Sequence, residues 1–447
     1  MRPPKPSGDG PDYEVIGYNV SRGNGWAISF ADEKWQTPYR MSQVEESSVG
    51  YAVQLTRIGP LASDTNRPPL LPLIIGAVYQ WFPRGPIAFA TIRILLATCL
   101  SLGCALGVAW GYALATKHTA CSHRWFGNAV AFAIVGIVYT ERNLRNYATD
   151  FLTEPIALLA TQTFVMVACM GIQRRKLKWA CMSGIAFAAM IYCRTVFVLW
   201  TPFVLIWLIV VARVGSTLVA VPLSSVTIAR WMGVFSLTVL LICFVWWIRN
   251  CIVLQSFHPL GTKGSVTLLG GYCDESLQRG GEWQMDPEKR LRHKLEKELP
   301  TETERDSLNL ELKLAQEANT EILDWSRKHC LDLPKLMFKR LLTEWNPYTG
   351  KALLIKLFAI AGITWLIFNN RFALIALMGP LVINSLLVMG TYSVGGRFLV
   401  PTYGMFYILA AFGLAASLTI VADYLNLRIQ PNKSPITTAT AKNGPIK

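Results

Sequence analysis

Three carboxylates fall within six residues near the start of the chain, in Gly8-Asp9-Gly10-Pro11-Asp12-Tyr13-Glu14. A carboxylate held against apolar surface has its charged form disfavoured, so it can take a proton from a hydroxyl near neutral pH. The plainer reading is a polar turn with a capping Asp, and local sequence alone favours it. Asp150 and Glu154 form a second acidic group just ahead of Pro155. An acid and a Pro in the first turn also suit an ordinary helix start. Facing these acids is a set of arginines, Arg93, Arg194, Arg249 and Arg397, each inside or beside an apolar run. A charge within a span is costly and marks a functional site by default. The guanidinium fork also matches phosphate oxygens. Snorkelling at a helix end explains any one of them, but four at one depth opposite carboxylates are less easily explained that way. Together the groups suit a substrate with a lipid tail and a phosphate head. The acids would activate an acceptor hydroxyl while arginine stabilises a departing phosphate.

Holding such groups at one depth requires membrane-spanning elements, and the composition supplies them. Of 447 residues, 52% are hydrophobic and 16% charged, with 15 Trp. An ordinary soluble domain carries roughly 25% charged residues. A disordered chain, a soluble multidomain enzyme and a disulfide-rich secreted scaffold are therefore excluded. The net charge of +15 would suggest nucleic acid in a soluble protein. In a membrane protein it reads as loops facing anionic lipid or cytoplasm, with no nucleic-acid partner. The 10 Cys show no CxxC pair and no Cys/His metal spacing, so they read mostly as small core residues. A spanning helix needs about 20 mainly apolar residues. Nine stretches qualify, near 87–116, 125–140, 154–172, 179–193, 195–213, 229–248, 351–368, 372–390 and 398–423. Leu70–Phe82 is apolar but short, which predicts an interfacial or re-entrant helix.

If Leu70–Phe82 does not cross, the loop cations gather on one side, the cytoplasm. These are Lys117 and Arg124, the Arg174-Arg175-Lys176-x-Lys178 cluster, Arg213 and Arg230, Arg371, and the tail from Arg428 to Lys447. The predicted organisation is an outer first loop over 1–86, bundle halves over 87–254 and 351–424, an outer soluble segment over 255–350 and a cytoplasmic tail over 425–447. The soluble segment opens with the Gly-rich strip Gly261–Gly271. Helices are predicted over 286–299, 302–329 and 331–344, with Thr301-x-x-Glu304 as a capping box. Cys273 and Cys330 would pair in an oxidising compartment or both stay free. Nine spans with a cytoplasmic C-terminus put the N-terminus outside, yet residues 1–10 hold no signal segment. That points to a first helix upstream of Met1.

No Walker loop, HExxH, GxSxG or dinucleotide fingerprint is present, and the five His are scattered. What the chain does carry is an ordered series of short motifs. They are Asp9-x-x-x-Tyr13 running to Gly23-x-Gly25, Arg67-Pro68-Pro69-Leu70-Leu71-Pro72, Thr153-Glu154-Pro155, Arg194-Thr195, Trp247-Ile248-Arg249-Asn250, the glycines from Gly264 to Gly270, and Arg397-Phe398-x-x-Pro401. In this order they resemble the membrane glycosyltransferases of the GT-C superfamily. The likeness is to the dolichyl-phosphate-mannose–protein mannosyltransferase type, which includes bacterial lipid A aminoarabinose transferases. The resemblance covers nearly the whole chain. It departs at Leu71, where the family has Tyr, at Cys193 and Thr195, which replace a Thr and a Pro, and in the Trp–Arg spacing before Asn250, one residue shorter.

The resemblance implies an all-α polytopic membrane protein with a GT-C-like bundle, whose members begin with a helix just before the Asp motif. It implies transfer of a sugar from a polyprenyl-phosphate donor to a lipid, glycan or protein acceptor on the non-cytoplasmic side, here the outer face of a bacterial inner membrane. Asp9 would be the acceptor-activating base, with Asp12 its nearest rival in register, and Glu154 the second acid. Arg249 and Arg397 would be the leading phosphate contacts, with Arg93 and Arg194 behind them. Tyr13, Arg67 and Asn250 would complete the substrate site. An inverting displacement with one base requires no cofactor, and a divalent metal stays compatible. The competing reading is a transporter or lipid flippase, which favours paired halves and broken helices at the midplane. No half-to-half similarity is evident. A noncatalytic scaffold with a partner-binding outer segment is the third.

Overall fold

The computed structural model describes residues 2–5, 8–30, 32–41, 62–117, 125–216, 224–299, 303–346 and 348–429. His118, His123, Arg124, Thr301 and the tail beyond 429 lie outside the described residues.

The first helix, α1 (Gly10–Ser21), has Pro11 in its opening turn, where a missing N–H costs nothing. A short ribbon pairs β1 (Ala27–Ile28) antiparallel with β2 (Ala62–Ser63), Ala27 opposite Ser63. Between them lies α2 (Glu33–Met41). The apolar Leu70–Trp81 stretch is a helix, α3, laid against α1. Two glycines permit that contact. A Cβ on Gly17 would stand 2.5 Å from an Ile75 methyl, and one on Gly76 would stand 3.0 Å from Val20.

The nine apolar stretches all form helices. Seven are long and apolar enough to cross a bilayer. These are α4 (Pro86–Lys117), α7 (Glu154–Arg174), α9 (Thr201–Ser216) with the preceding 3-10 turn Thr195–Trp200, α10 (Ser225–Leu254), α16 (Gly350–Asn369), α17 (Arg371–Gly390) and α18 (Tyr403–Ile429) with the 3-10 turn Arg397–Thr402. The other two, α5 (Phe126–Thr140) and α8 (Leu177–Cys193), have 15 and 17 residues. At about 1.5 Å per residue they fall short of a bilayer core of about 30 Å. The polar helix α6 (Arg142–Thr149) follows α5 directly. The chain is thus an all-α polytopic membrane protein apart from the two-residue ribbon.

Burial ranks the spans. In α7, 78% of the most apolar stretch is buried, against 22% in both α4 and α10. α7 is therefore a hub, and Phe164 on it meets Phe187, Trp207 and Phe235 at ring separations of 5.1 to 6.0 Å. α10 instead exposes Leu237, Leu240, Leu241, Phe244 and Val245, the face expected to meet lipid.

Between α10 and α16 lies the polar segment, with α11 (Lys263–Leu269), α12 (Asp274–Gln278), α13 (Asp286–Glu298), α14 (Glu304–Lys328) and α15 (Leu333–Glu344). It has its own core of Val266, Leu269, Leu291, Leu295, Leu310 and Leu314. The capping box of α14 differs from the sequence expectation. It is built by Thr303 and Asp306, two residues on from the Thr301–Glu304 pair. Cys273 and Cys330 are both free thiols, and the Cys273 sulfur accepts from Ser276 N to cap α12. The segment is tied to the first loop through Glu304, which accepts from Ser63 N and Oγ at 2.9 and 2.7 Å. Arg340 ties it to the bundle. Fully buried, it donates to the carbonyls of Met389 at 3.0 Å and Gly271 at 2.6 Å.

Candidate active site

The cluster forms where several helix ends meet. Asp9 is at the cap position of α1, but its side chain caps nothing. Oδ1 lies 2.9 Å from Arg67 Nη2, and Oδ2 accepts from Arg397 Nη2 at 2.9 Å. Asp12, three residues on and hence on the same face, accepts from Arg67 Nε at 2.9 Å and also from Arg67 Nη2. Glu154 opens α7 with Thr153 before it, and its side chain makes no cap bond either. Its Oε1 accepts from Arg397 Nε and lies 3.5 Å from Arg194 Nη2. Arg194 sits where α8 gives way to the 3-10 turn, its guanidinium 4.9 Å from the Phe398 ring centre. The result is one chain of alternating sign, Asp12–Arg67–Asp9–Arg397–Glu154–Arg194. Asp9 and Arg397 are 388 residues apart in sequence.

The supports are equally specific. Gly395 and Gly396 have φ of +57° and +87°, the left-handed region that favours glycine. They reverse the chain so that Arg397 can turn back to the acids. Glu344, at the end of α15, holds this turn by accepting from Ser393 Oγ at 2.8 Å, Val394 N at 3.0 Å and Phe398 N at 2.8 Å. Asn384 in α17 donates to Phe398 O at 2.8 Å. Neither residue is a candidate on sequence motif alone. Each carries a signal, since Asn384 is polar inside an apolar span and Glu344 ends an amphipathic helix beside the membrane boundary.

Electrostatics separates the acids. Burial would raise the Asp9 carboxyl, but Arg67 and Arg397 outweigh it and hold Asp9 well below the ordinary carboxylate range. Asp12 goes the other way. Burial raises it, Arg67 only partly offsets that, and the neighbouring Asp9 charge adds to the rise. Arg67 is itself held well above its usual value, because its two acids outweigh its burial. Buried Tyr13 stacks beneath Arg67 at 5.4 Å, and burial pushes its hydroxyl up to about 12. Tyr392, which no motif marks, is likewise pushed up to about 12 by burial, with Arg194 opposing. Side-chain exposure is 29% for Asp9, 14% for Asp12 and nil for Glu154, so Asp9 is the carboxylate most open to an incoming group. Asp12 Oδ1 and Glu154 Oε2 are buried without a hydrogen-bond partner.

Other candidates lie apart from this chain. Arg93 holds the N-terminal segment beside α6, donating to the carbonyls of Thr149 at 3.0 Å and Arg2 at 2.9 Å. Arg249 donates to the carbonyls of Asp64 and Trp26, the latter at 3.2 Å, and to Asn250 Oδ1 at 3.0 Å. Asn250 in turn donates to Pro259 O at 3.0 Å. The structure therefore gathers two of the four boundary arginines, Arg194 and Arg397, against the acids; the other two hold backbone. Asp150 pairs with Lys5 at 3.2 Å. Glu14, third acid of the first strip, is fully buried and turned away. It accepts from Tyr79 Oη at 2.6 Å, Arg84 Nε at 2.6 Å, Arg84 Nη2 at 3.2 Å, Tyr39 Oη at 3.4 Å and Trp35 Nε1. Among the described residues no group of three or more His, Cys, Asp or Glu side chains is placed to hold a metal ion.

No protein-family model matches this chain, and no curated protein matches it. The chemistry is therefore argued from the cluster itself. Its carboxylates can accept a proton, its guanidiniums can bind an anion, and here each is held by the other.

Proposed function

We propose that this protein is a membrane glycosyltransferase of the GT-C kind. It would transfer a sugar from a polyprenyl-phosphate donor to a lipid, glycan or protein acceptor at the outer face of a bacterial inner membrane. The observation that carries the reading is the alternating acid–arginine chain, which draws five separate segments to one set of helix ends.

A phosphate arriving at Arg397 and Arg194 competes with the carboxylates for the same donors. Displacing Asp9 from Arg397 removes part of what holds its carboxyl low, so donor binding makes Asp9 a better base. Asp9 then takes the acceptor hydroxyl proton, with Asp12 next along the helix. The acceptor oxygen bonds to the anomeric carbon from the face opposite the phosphate. The bond from that carbon to the phosphate oxygen breaks, its electron pair stays on the phosphate, and the arginines neutralise it. Configuration inverts. Glu154 positions Arg397 and Arg194 from behind. Members of such a site need the lipid boundary only to present a lipid-tailed donor.

The test is transfer in membranes with a matched polyprenyl-phosphate sugar. Asp9→Asn and Glu154→Gln are expected to lose transfer; full transfer by both variants overturns the assignment. Uptake or efflux of substrate without a covalent product would instead support transport.

A further inference from the structure

The Gly-rich strip Gly261–Gly271 supplies no member of the acid–arginine chain, yet its two ends press on the two loops that carry Arg67 and Arg397. At the first end, Gly261 has a φ of +80°, and a Cβ there would stand 1.8 Å from Thr65 O. The next residue, Thr262, is buried and donates from Oγ1 to Asn66 Oδ1 at 2.6 Å. Asn66 also donates to Glu311 of α14 at 3.2 Å, and Arg67 follows it directly. At the second end, a Cβ on Gly271 would stand 2.6 Å from Thr391 O. Tyr272 donates from Oη to Gly390 O at 2.7 Å. Two backbone bonds carry the contact on toward Arg397, from Trp283 N to Ser393 O at 2.9 Å and from Ser393 N to Gly281 O at 3.1 Å.

Between these ends runs α11, 7 residues and about 10 Å long. It is fixed along its length, since Val266 and Leu269 are buried in the outer segment's core and Trp283 Nε1 donates to Thr267 O at 2.9 Å. A packed helix transmits displacement and does not absorb it, so moving either end moves the loop against it. The plain reading is that small residues merely let the outer segment seat on the bundle. Against it stands the choice of loops, because each leads directly to one of the two arginines that hold Asp9. Arg67 Nη2 meets Asp9 Oδ1 and Arg397 Nη2 meets Oδ2, both at 2.9 Å. We infer that α11 is a spacer between Arg67 and Arg397, with Gly261, Thr262, Gly271 and Tyr272 as positioning residues that keep both arginines on Asp9. The spacer acts on the ion pairs of Asp9 whatever reaction they serve, so it stands or falls independently of glycosyl transfer.

The test is a double-mutant cycle on the full-length protein in detergent, read as the thermal midpoint at neutral pH. The midpoint loss caused by Asp9→Asn is measured in wild type and again in each variant background. A variant that draws one of the two arginines away leaves Asp9→Asn less to remove, so Gly261→Ala and Gly271→Ala should each shrink that loss to about half. Gly264→Ala is the control. It lies in the same helix with nothing within 4 Å of an added Cβ, and alanine suits a helix better than glycine, so the Asp9→Asn loss should keep its wild-type size there. Should an added methyl prevent folding, Thr262→Val and Tyr272→Phe each remove one hydrogen bond without adding bulk and are read the same way. An Asp9→Asn loss of wild-type size in the folded variants at both ends leaves the glycines a seating role alone and overturns the spacer. So does equal shrinkage in Gly264→Ala. In a transfer assay the end variants should lower kcat by up to about 10²-fold at unchanged acceptor KM. Absence of transfer by wild type would sink the glycosyltransferase reading and leave the midpoint cycle to decide the spacer.

Discussion

Glu14 and Glu154 are both fully buried carboxylates beside guanidiniums, and their surroundings differ in what is left unused. Around Glu14, two tyrosines, a tryptophan and Arg84 occupy both oxygens. Around Glu154, one oxygen takes both arginines and the other has no partner. A buried acid with every lone pair engaged is finished, and its energetic role is to hold α2, α3 and the 82–85 turn around α1. A buried acid with an open oxygen, next to Asp9 at 29% exposure, is a place where partners can be exchanged. Buried charge alone therefore does not identify a site; the unfilled valences do.

The largest expected effect that sharpens this contrast is on rate. Removing a positioned general base costs about 10²–10⁴-fold, so Asp9→Asn should lose transfer on that scale while its thermal midpoint falls less than that of Glu14→Ala. Next comes stability at the other acid. Removing one partner of a buried ion pair costs about 3–5 kcal/mol, so Glu14→Ala should unfold at much lower temperature in detergent. Glu154→Ala should lose less, since Arg397 keeps Asp9 as a partner. Equal losses at the two positions would break the comparison. Smaller again is Glu344→Gln, which loosens the turn bearing Arg397. A misplaced catalytic group costs up to about 10²-fold, and here the fall should appear in kcat with the acceptor KM unchanged.

The smallest effect is in the pH dependence of stability, and its sign differs between the two aspartates. Asp9 is lower in the folded state than unfolded. Its contribution is present above the unfolded value of about 4 and is lost only as pH falls through the depressed folded value. The gap in thermal midpoint between wild type and Asp9→Asn should therefore narrow below about pH 4. Asp12 is raised in the folded state, so its ionised form costs stability at neutral pH and its protonation favours the fold. Asp12→Asn should be no less stable than wild type at pH 7, and wild type should gain on it as pH falls through the raised value.

Much of the scaffold was legible because hydropathy is local: all nine apolar stretches are helices where expected. The short length of α5 and α8 was legible as well, since the stretches 125–140 and 179–193 are about as short as the helices that form; counting them as spans rested on composition and not on length. Asp9, Asp12, Glu154, Arg67, Arg194 and Arg397 could be named from type and position, while their pairing depends on contacts between distant segments. Arg93 and Arg249 show the limit. An arginine at a membrane boundary reads the same whether its fork meets an anion or backbone carbonyls. For Glu14 a signal was present. At about 100° per residue, it sits roughly 200° around α1 from Asp12, on the opposite face. The Thr303–Asp306 cap was missed because Thr301-x-x-Glu304 offers the same pattern two residues earlier.

The alternating chain also has an order in time. Synthesis runs from Asp9 toward Arg397, so the acids and Arg194 enter the membrane before the one residue that joins them. Until the last span arrives, Glu154 has only Arg194 and Asp9 only Arg67. Completing the bundle and completing the cluster are then a single event, and a chain halted before the Gly395–Gly396 turn holds the acids without the arginine that joins them.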